Sequence, residues 1–174
     1  MIRILGFIAL MSFFHLANAA ECFDSAGRSY KIDPDLLRAI SLRESSGRAD
    51  AMNIVSSSSY AVGIMQIHSQ NFPHLAQFGI SPEQLKKNAC LNIYTGAYYL
   101  AIAFKRWGYT WRAVGAYNAG FKKSDTQEAR RKKYADEVNA IYKKLKAEKS
   151  LSLEPEKSLS LAYRADLSEG SFHH

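Results

Sequence analysis

Between Ile32 and Gly47 the apolar positions fall on a helical period. Leu36, Leu37 and Ile40 form a stripe, and Glu44 extends it four residues beyond Ile40. Both ends of this helix are written in the sequence. Asp33 is suited to the N-cap and Pro34 to the first helical position, where no N–H is needed. Ile32 and Leu37 have the spacing of a hydrophobic staple, and Gly47 supplies a stop. Before it, Cys22, Phe23, Ala26 and Tyr30 mark a short amphipathic lead-in.

After it the pattern breaks. Arg48 to Ser59 is small and polar, ends in four serines, and reads as a loop or small irregular hairpin. Tyr60 to His68 is mostly apolar, interrupted by Gly63 and by one amide, Gln66. Ser81 and Gln84 are spaced as a capping box. A longer helix is predicted from about Asn92 to Trp107 on the stripe Ile93, Ala97, Leu100, Phe104 and Trp107, with Gly108 ending it. Thr110 caps the next helix, which carries Trp111, Val114 and Tyr117 on one face and closes at Gly120. Asp125 and Glu128 open the last, whose stripe is Tyr134, Val138, Ile141 and Leu145. The expectation is a mostly α domain with a small irregular or β-like insert beside the Glu44 helix.

The two ends fall outside this pattern. Arg3, the apolar run Ile4 to Phe14 and Ala17-Asn18-Ala19 have the three parts of an export signal, expected over residues 1–19. The apolar run is shorter than the ~20 residues a membrane span needs, so no stable insertion is expected. The folded domain is expected over residues 20–149. Beyond it, Glu-Lys-Ser-Leu-Ser-Leu at 148–153 recurs at 156–161, and residues 150–174 read as a flexible tail or, through their leucines, a partner-binding motif.

Export changes the reading of the cysteines. Cys22 and Cys90 are an even pair in an exported chain, which favours a disulfide, and without clustered histidines they make no metal site. The formal charge of +7 favours an anionic partner, whether nucleic acid, anionic lipid or acidic cell-wall polymer, and does not choose among them.

Glu44 carries the candidate chemistry. Burial on a core stripe and the negative end of the helix dipole both raise a carboxyl pKa, and a carboxyl kept protonated near neutrality can serve as a general acid. Taken singly, Glu44 also reads as a solvated helix-end residue paired with Arg43 or Arg48. Met65 reads singly as core, Tyr117 and Tyr134 as packing, and Asn118 as a helix-end residue. Gln66, between Met65 and Ile67, is the hardest to explain as structure, because a buried amide needs partners.

Three stretches then stand in order: Glu44-Ser45, Gly63-Ile64-Met65-Gln66, and Ala116-Tyr117-Asn118-Ala119-Gly120. Together they resemble the goose-lysozyme-like lytic transglycosylases (SLT domain), over roughly Cys22 to Lys146, and most closely the small members that serve secretion, pilus or conjugation machines. Ile64 stands where that family usually has Leu, and Ala61 where some secretion-associated members have Asp.

The resemblance implies an α+β lysozyme-like fold and a periplasmic, monomeric enzyme acting on peptidoglycan glycan strands. No cofactor and no nucleic acid are implied. Glu44 would be the catalytic acid and base. Ser45 would hold substrate or an active-site hydrogen bond. Gly63 belongs to the groove motif, and Met65 and Gln66 would line the sugar groove. Tyr117 and Asn118 would position substrate, and Tyr134 would approach Glu44. The implied reaction cuts the β-1,4 bond between N-acetylmuramic acid and N-acetylglucosamine and leaves a 1,6-anhydromuramic end. A hydrolytic lysozyme or a non-catalytic wall-binding assembly protein are the alternatives. Between Ser45 and Gly120 the sequence holds two carboxylates, Asp50 and Glu83. Glu83 is explained by its place in the first turn of a helix, and Asp50 reads as an exposed loop residue.

Overall fold

The computed structural model describes residues 19–169, with side chains through Ser152. The export signal expected over residues 1–19 lies outside the described residues except for its last position, which opens helix α1, residues 19–30. The described elements then run α2 (Pro34–Ser45), β1 (Met52–Ile54), β2 (Tyr60–Val62), β3 (Ile67–His68), a 3-10 turn (Ser69–Asn71), α3 (Phe72–Ala76), α4 (Pro82–Lys87), α5 (Ala89–Trp107), α6 (Trp111–Ala119) and α7 (Asp125–Glu169). The architecture is mostly helical with one small sheet, as the hydrophobic pattern predicts.

Local signals set the helix ends. Asp33 caps α2 by accepting from the Asp35 N–H at 2.8 Å. Its other end turns at Ser46, which is left-handed with φ 57°, one residue before the glycine that the sequence suggests as the stop. The Gly47 N–H still reaches back to Ser41 O at 3.2 Å, so both residues share the capping turn. Ser81 and Gln84 form the expected capping box on α4. Helix α5 begins earlier than predicted because Asn88 caps it, accepting from the Leu91 N–H at 2.9 Å. Asn92 is thereby placed inside the helix.

The insert is a regular antiparallel sheet ordered β1-β2-β3. Met52 pairs with Val62, Ile54 with Tyr60, and Val62 with Ile67. The serine run closes the β1–β2 hairpin, with Ser59 N donating to Ser56 O at 3.2 Å.

The core is shared by all layers. Leu37, Ile40, Val62, Met65, Leu85, Ile93, Leu100 and Val138 are among its fully buried side chains. A disulfide joins Cys22 on α1 to Cys90 at the start of α5. Helix α7 lies antiparallel to α2. Its Tyr134 meets Glu44 near the end of α2, while Tyr142 and Lys146 meet Asp33 at the start. It crosses α6 closely at Gly115, where a Cβ would lie 2.3 Å from Arg131 O.

The backbone of the tail does not leave α7 at residue 149 but continues as helix through Glu169. The helix runs through Pro155, a residue that local propensity disfavours in a helix interior, so the good helix formers Lys, Glu, Leu and Ala around it do not by themselves explain the extension. Lys149 still reaches Asp35 at 3.5 Å, whereas Leu151 is 71% exposed.

Candidate active site

The last turn of α2 and the turn after β2 are tied together. Ser45 is buried, with its Oγ 2.8 Å from Ile64 O and 3.1 Å from Ser41 O. Its hydroxyl therefore braces the wall under the site and does not face the cleft. The segment Gly63 to Gln66 is a turn closed by the Gln66 N–H on Gly63 O at 3.0 Å. Gly63 has φ +78°, and a Cβ there would lie 2.1 Å from Asn92 Nδ2, so no other residue fits. Gln66 is itself left-handed, with φ 49°. Its amide nitrogen donates to Gly63 O at 2.8 Å and Ala51 O at 3.2 Å, leaving its oxygen without a partner among the described residues.

Met65 corrects an expectation. Its side chain is 0% exposed and packs against Gly96, so it does not line a groove. The turn directs its backbone toward the site instead, and Met65 O accepts from Tyr117 OH at 2.8 Å. A flexible thioether fills the space that Gly96 leaves on α5.

Glu44 Oε1 accepts from Tyr134 OH at 2.5 Å. Burial raises the Glu44 carboxyl above its ordinary pKa, opposed by the Tyr134 hydrogen bond and by the charge of Arg43. Burial also pushes the Tyr134 and Tyr117 phenols well above their ordinary range, so both remain donors. Their rings stack with centroids 6.5 Å apart. Arg43 lies over the outer side of this group, its Cζ 5.5 Å from the Tyr134 ring centroid, and its Nε bonds Glu137 Oε2 at 2.5 Å.

Glu44 opens onto a cleft of about 630 Å³. Gln66, Tyr117 and Asn118 line it, together with Arg43, Asn53, His68, Gln70, Asn71, Tyr99 and Phe121. Ser45, Gly63, Met65 and Tyr134 lie behind this lining. Asp50 does not line the cleft, and Glu44 is the one carboxylate among the lining residues. Among the described residues no cluster of three or more His, Cys, Asp or Glu could hold a metal, and no helix is long and apolar enough to cross a membrane.

Two buried polar residues that hold the site were missed by sequence reasoning. Asn92, 0% exposed, donates to Val62 O at 3.0 Å and Leu85 O at 3.1 Å and accepts from the Met65 N–H at 2.8 Å. A polar residue beside Ile93 on a buried stripe was the available signal. Arg131, 1% exposed, donates to Gly120 O at 2.6 Å and Lys122 O at 3.1 Å, which fixes the end of α6 that carries Tyr117 and Asn118. Its charge is balanced by Glu128, whose carboxyl is lowered to about 2 by hydrogen bonds from Arg112 and Arg131.

The Transglycosylase SLT domain family matches residues 21–141 of this sequence. The chain belongs to this family of lytic transglycosylases. Curated relatives include "X polypeptide" from Escherichia coli, 57% identical over 84% of this chain and 86% of the relative. "Invasion protein IagB" from Salmonella typhimurium is 38% identical over 82% of this chain and 87% of its own length. "Protein IpgF" from Shigella flexneri is 37% identical, over 82% and 91%. Among solved structures, an inactive mutant of lytic transglycosylase Slt from Pseudomonas aeruginosa matches with a TM-score of 0.57 and 23% identity. The match covers 73% of this chain and 24% of that longer one, and it shows the shared fold. In this transglycosylase the cleft offers one carboxyl whose charged form is disfavoured by burial, two phenols held as donors, and amides to orient a ligand.

Proposed function

We propose that this transglycosylase cuts the β-1,4 bond between N-acetylmuramic acid and N-acetylglucosamine and closes a 1,6-anhydro ring on the muramic acid. The observation that carries the reading is Glu44: a half-buried carboxyl, oriented by Tyr134, without a second carboxylate in its cleft. Glu44 gives its proton to the glycosidic oxygen as the C1–O bond breaks. The muramic acid N-acetyl group stabilises the positive C1. The C6 hydroxyl then attacks C1 and returns its proton to the Glu44 carboxylate, so the acid is regenerated and no water is consumed. The attack is intramolecular and gains the effective concentration of a tethered nucleophile.

In this reading Gln66, Tyr117 and Asn118 contact the sugars. Ser45, Gly63 and the Met65 backbone hold the turn that presents Gln66, and Tyr134 sets the carboxyl. The chain is exported to the periplasm by residues 1–19, folds over 20–149, and acts as a monomer on glycan strands. Its kinship with proteins named for invasion supports local opening of the wall for a secretion, pilus or conjugation machine.

Digestion of purified peptidoglycan by wild type and by Glu44→Gln tests the assignment. A folded variant is expected to lose ~10²–10⁴-fold in rate. Digestion at the wild-type rate would remove Glu44 from the chemistry.

A further inference from the structure

Beside the general acid the cleft carries a second charge, Arg43. The two residues are neighbours in the last turn of α2, about 100° apart around the helix. Glu44 turns to Tyr134, while Arg43 reaches across the Tyr134 ring to Glu137, one turn further along α7. The guanidinium is thus held by a stacking face on one side and by a carboxylate at Nε. Its Nη1 and Nη2 groups have no partner among the described residues, and Arg43 lines the cleft. A planar guanidinium held at one edge presents its free N–H groups as a fork, the geometry that takes a carboxylate. Glu44 supplies no competing salt bridge, because its carboxyl is directed to Tyr134 and its charged form is disfavoured by burial.

We infer that Arg43 is a specificity-determining residue that binds a carboxylate of the muramic acid substituent. The inference rests on the proposed function, since the muramic acid must lie against Glu44 for its C3 substituent to meet Arg43. Two sources share this chemistry: the lactyl carboxylate of a strand without stem peptides, and a carboxylate of the stem peptide itself. Glu137 is a positioning residue that holds the fork open toward the cleft.

The test is a cycle between the residue and the substrate's charge. Wild type, Arg43→Met and Arg43→Lys digest three forms of peptidoglycan: intact, stripped of stem peptides by an amidase, and carbodiimide-amidated so that its carboxylates are neutral. Amidation is expected to cost wild type tenfold or more in kcat/KM, on the scale of a charge-assisted hydrogen bond. Arg43→Met should lose a similar factor on charged substrate and little further on amidation, with Arg43→Lys between the two. An effect seen on intact strands, whose lactyl carboxyl is tied up in an amide, and lost on stripped ones assigns the stem peptide, whereas an effect confined to stripped strands assigns the lactyl carboxylate. An equal loss by Arg43→Met on charged and neutral substrate would overturn the inference. So would a loss explained by a displaced pH profile of kcat/KM, because Arg43 would then act through Glu44. If wild type cleaves none of the three, it is the proposed function that fails.

Discussion

Tyr134 donates its phenolic proton to Glu44 Oε1 at 2.5 Å, joining residues 90 positions apart. The bond favours the charged carboxylate and so works against the burial that raises the Glu44 pKa. Tyr134→Phe keeps the ring that stacks on Tyr117 and removes this opposition. The Glu44 pKa should rise, and the alkaline limb of the kcat/KM profile should move to higher pH. The rate at the optimum should fall by on the order of 10–100-fold, because the carboxyl loses its orientation. An unmoved alkaline limb would show that the phenol does not tune the acid.

Glu44 also links stability to pH. Its folded-state pKa lies above the unfolded value of about 4.3, so its contribution is fully present below that value and is lost as pH rises through the folded pKa. Gln is neutral throughout. Glu44→Gln should therefore gain melting temperature relative to wild type between pH 4 and pH 8. A difference between the two proteins that does not change with pH would contradict this linkage.

Asn92 makes three hydrogen bonds in a fully buried position. Asn92→Ala strands the Met65 N–H and the carbonyls of Val62 and Leu85, at ~1–3 kcal/mol for each group left unsatisfied. Denaturant titration should show a loss of about 3–5 kcal/mol, and the Gln66 turn should loosen, so that kcat falls as well. A loss below about 1 kcal/mol would mean that the amide is replaceable.

The end of α7 is expected to be dispensable. The repeated Glu-Lys-Ser-Leu-Ser-Leu and the exposure of Leu151 imply that residues 150–174 do not serve the cleft. A chain ending at Lys149 retains the reach to Asp35 and should melt and digest purified peptidoglycan like the full chain. A large drop in melting temperature would show that the removed residues pack on the domain.

The legible parts of this protein are those coded within a few residues. The Asp33 cap, the Ser81–Gln84 box and the glycines after α5 and α6 are local decisions, and Glu44 could be placed on its stripe by spacing alone. The Cys22–Cys90 pair was also visible, and Gln66 stood out as an amide in need of partners. Met65 was misplaced because the run from Tyr60 to His68 has neither a strand nor a helix period. A left-handed Gln66 turns the chain there, and the space for the thioether comes from Gly96 on a different helix. Asn92 and Arg131 act on carbonyls distant in sequence, so only the tertiary fold shows what they do. Arg43 was visible as a neighbour of Glu44, but its fork is defined by Tyr134 and Glu137 across the α2–α7 interface.

The central claim is that one carboxyl does the acid and base work and the substrate supplies its own nucleophile. Glycosidases that use two carboxylates place the second about 5–5.5 Å away when retaining and about 6.5–9.5 Å away when inverting. Asp50, the loop carboxylate that follows the Glu44 helix, does not line the cleft, and Asp50→Asn should remain active. Digestion of peptidoglycan in ¹⁸O-water, followed by mass spectrometry of the muropeptides, tests the claim most directly. The expected products are 1,6-anhydromuramic ends without the heavy label. Reducing-end muramic acid carrying ¹⁸O as the main product would contradict the claim and make the enzyme a hydrolase.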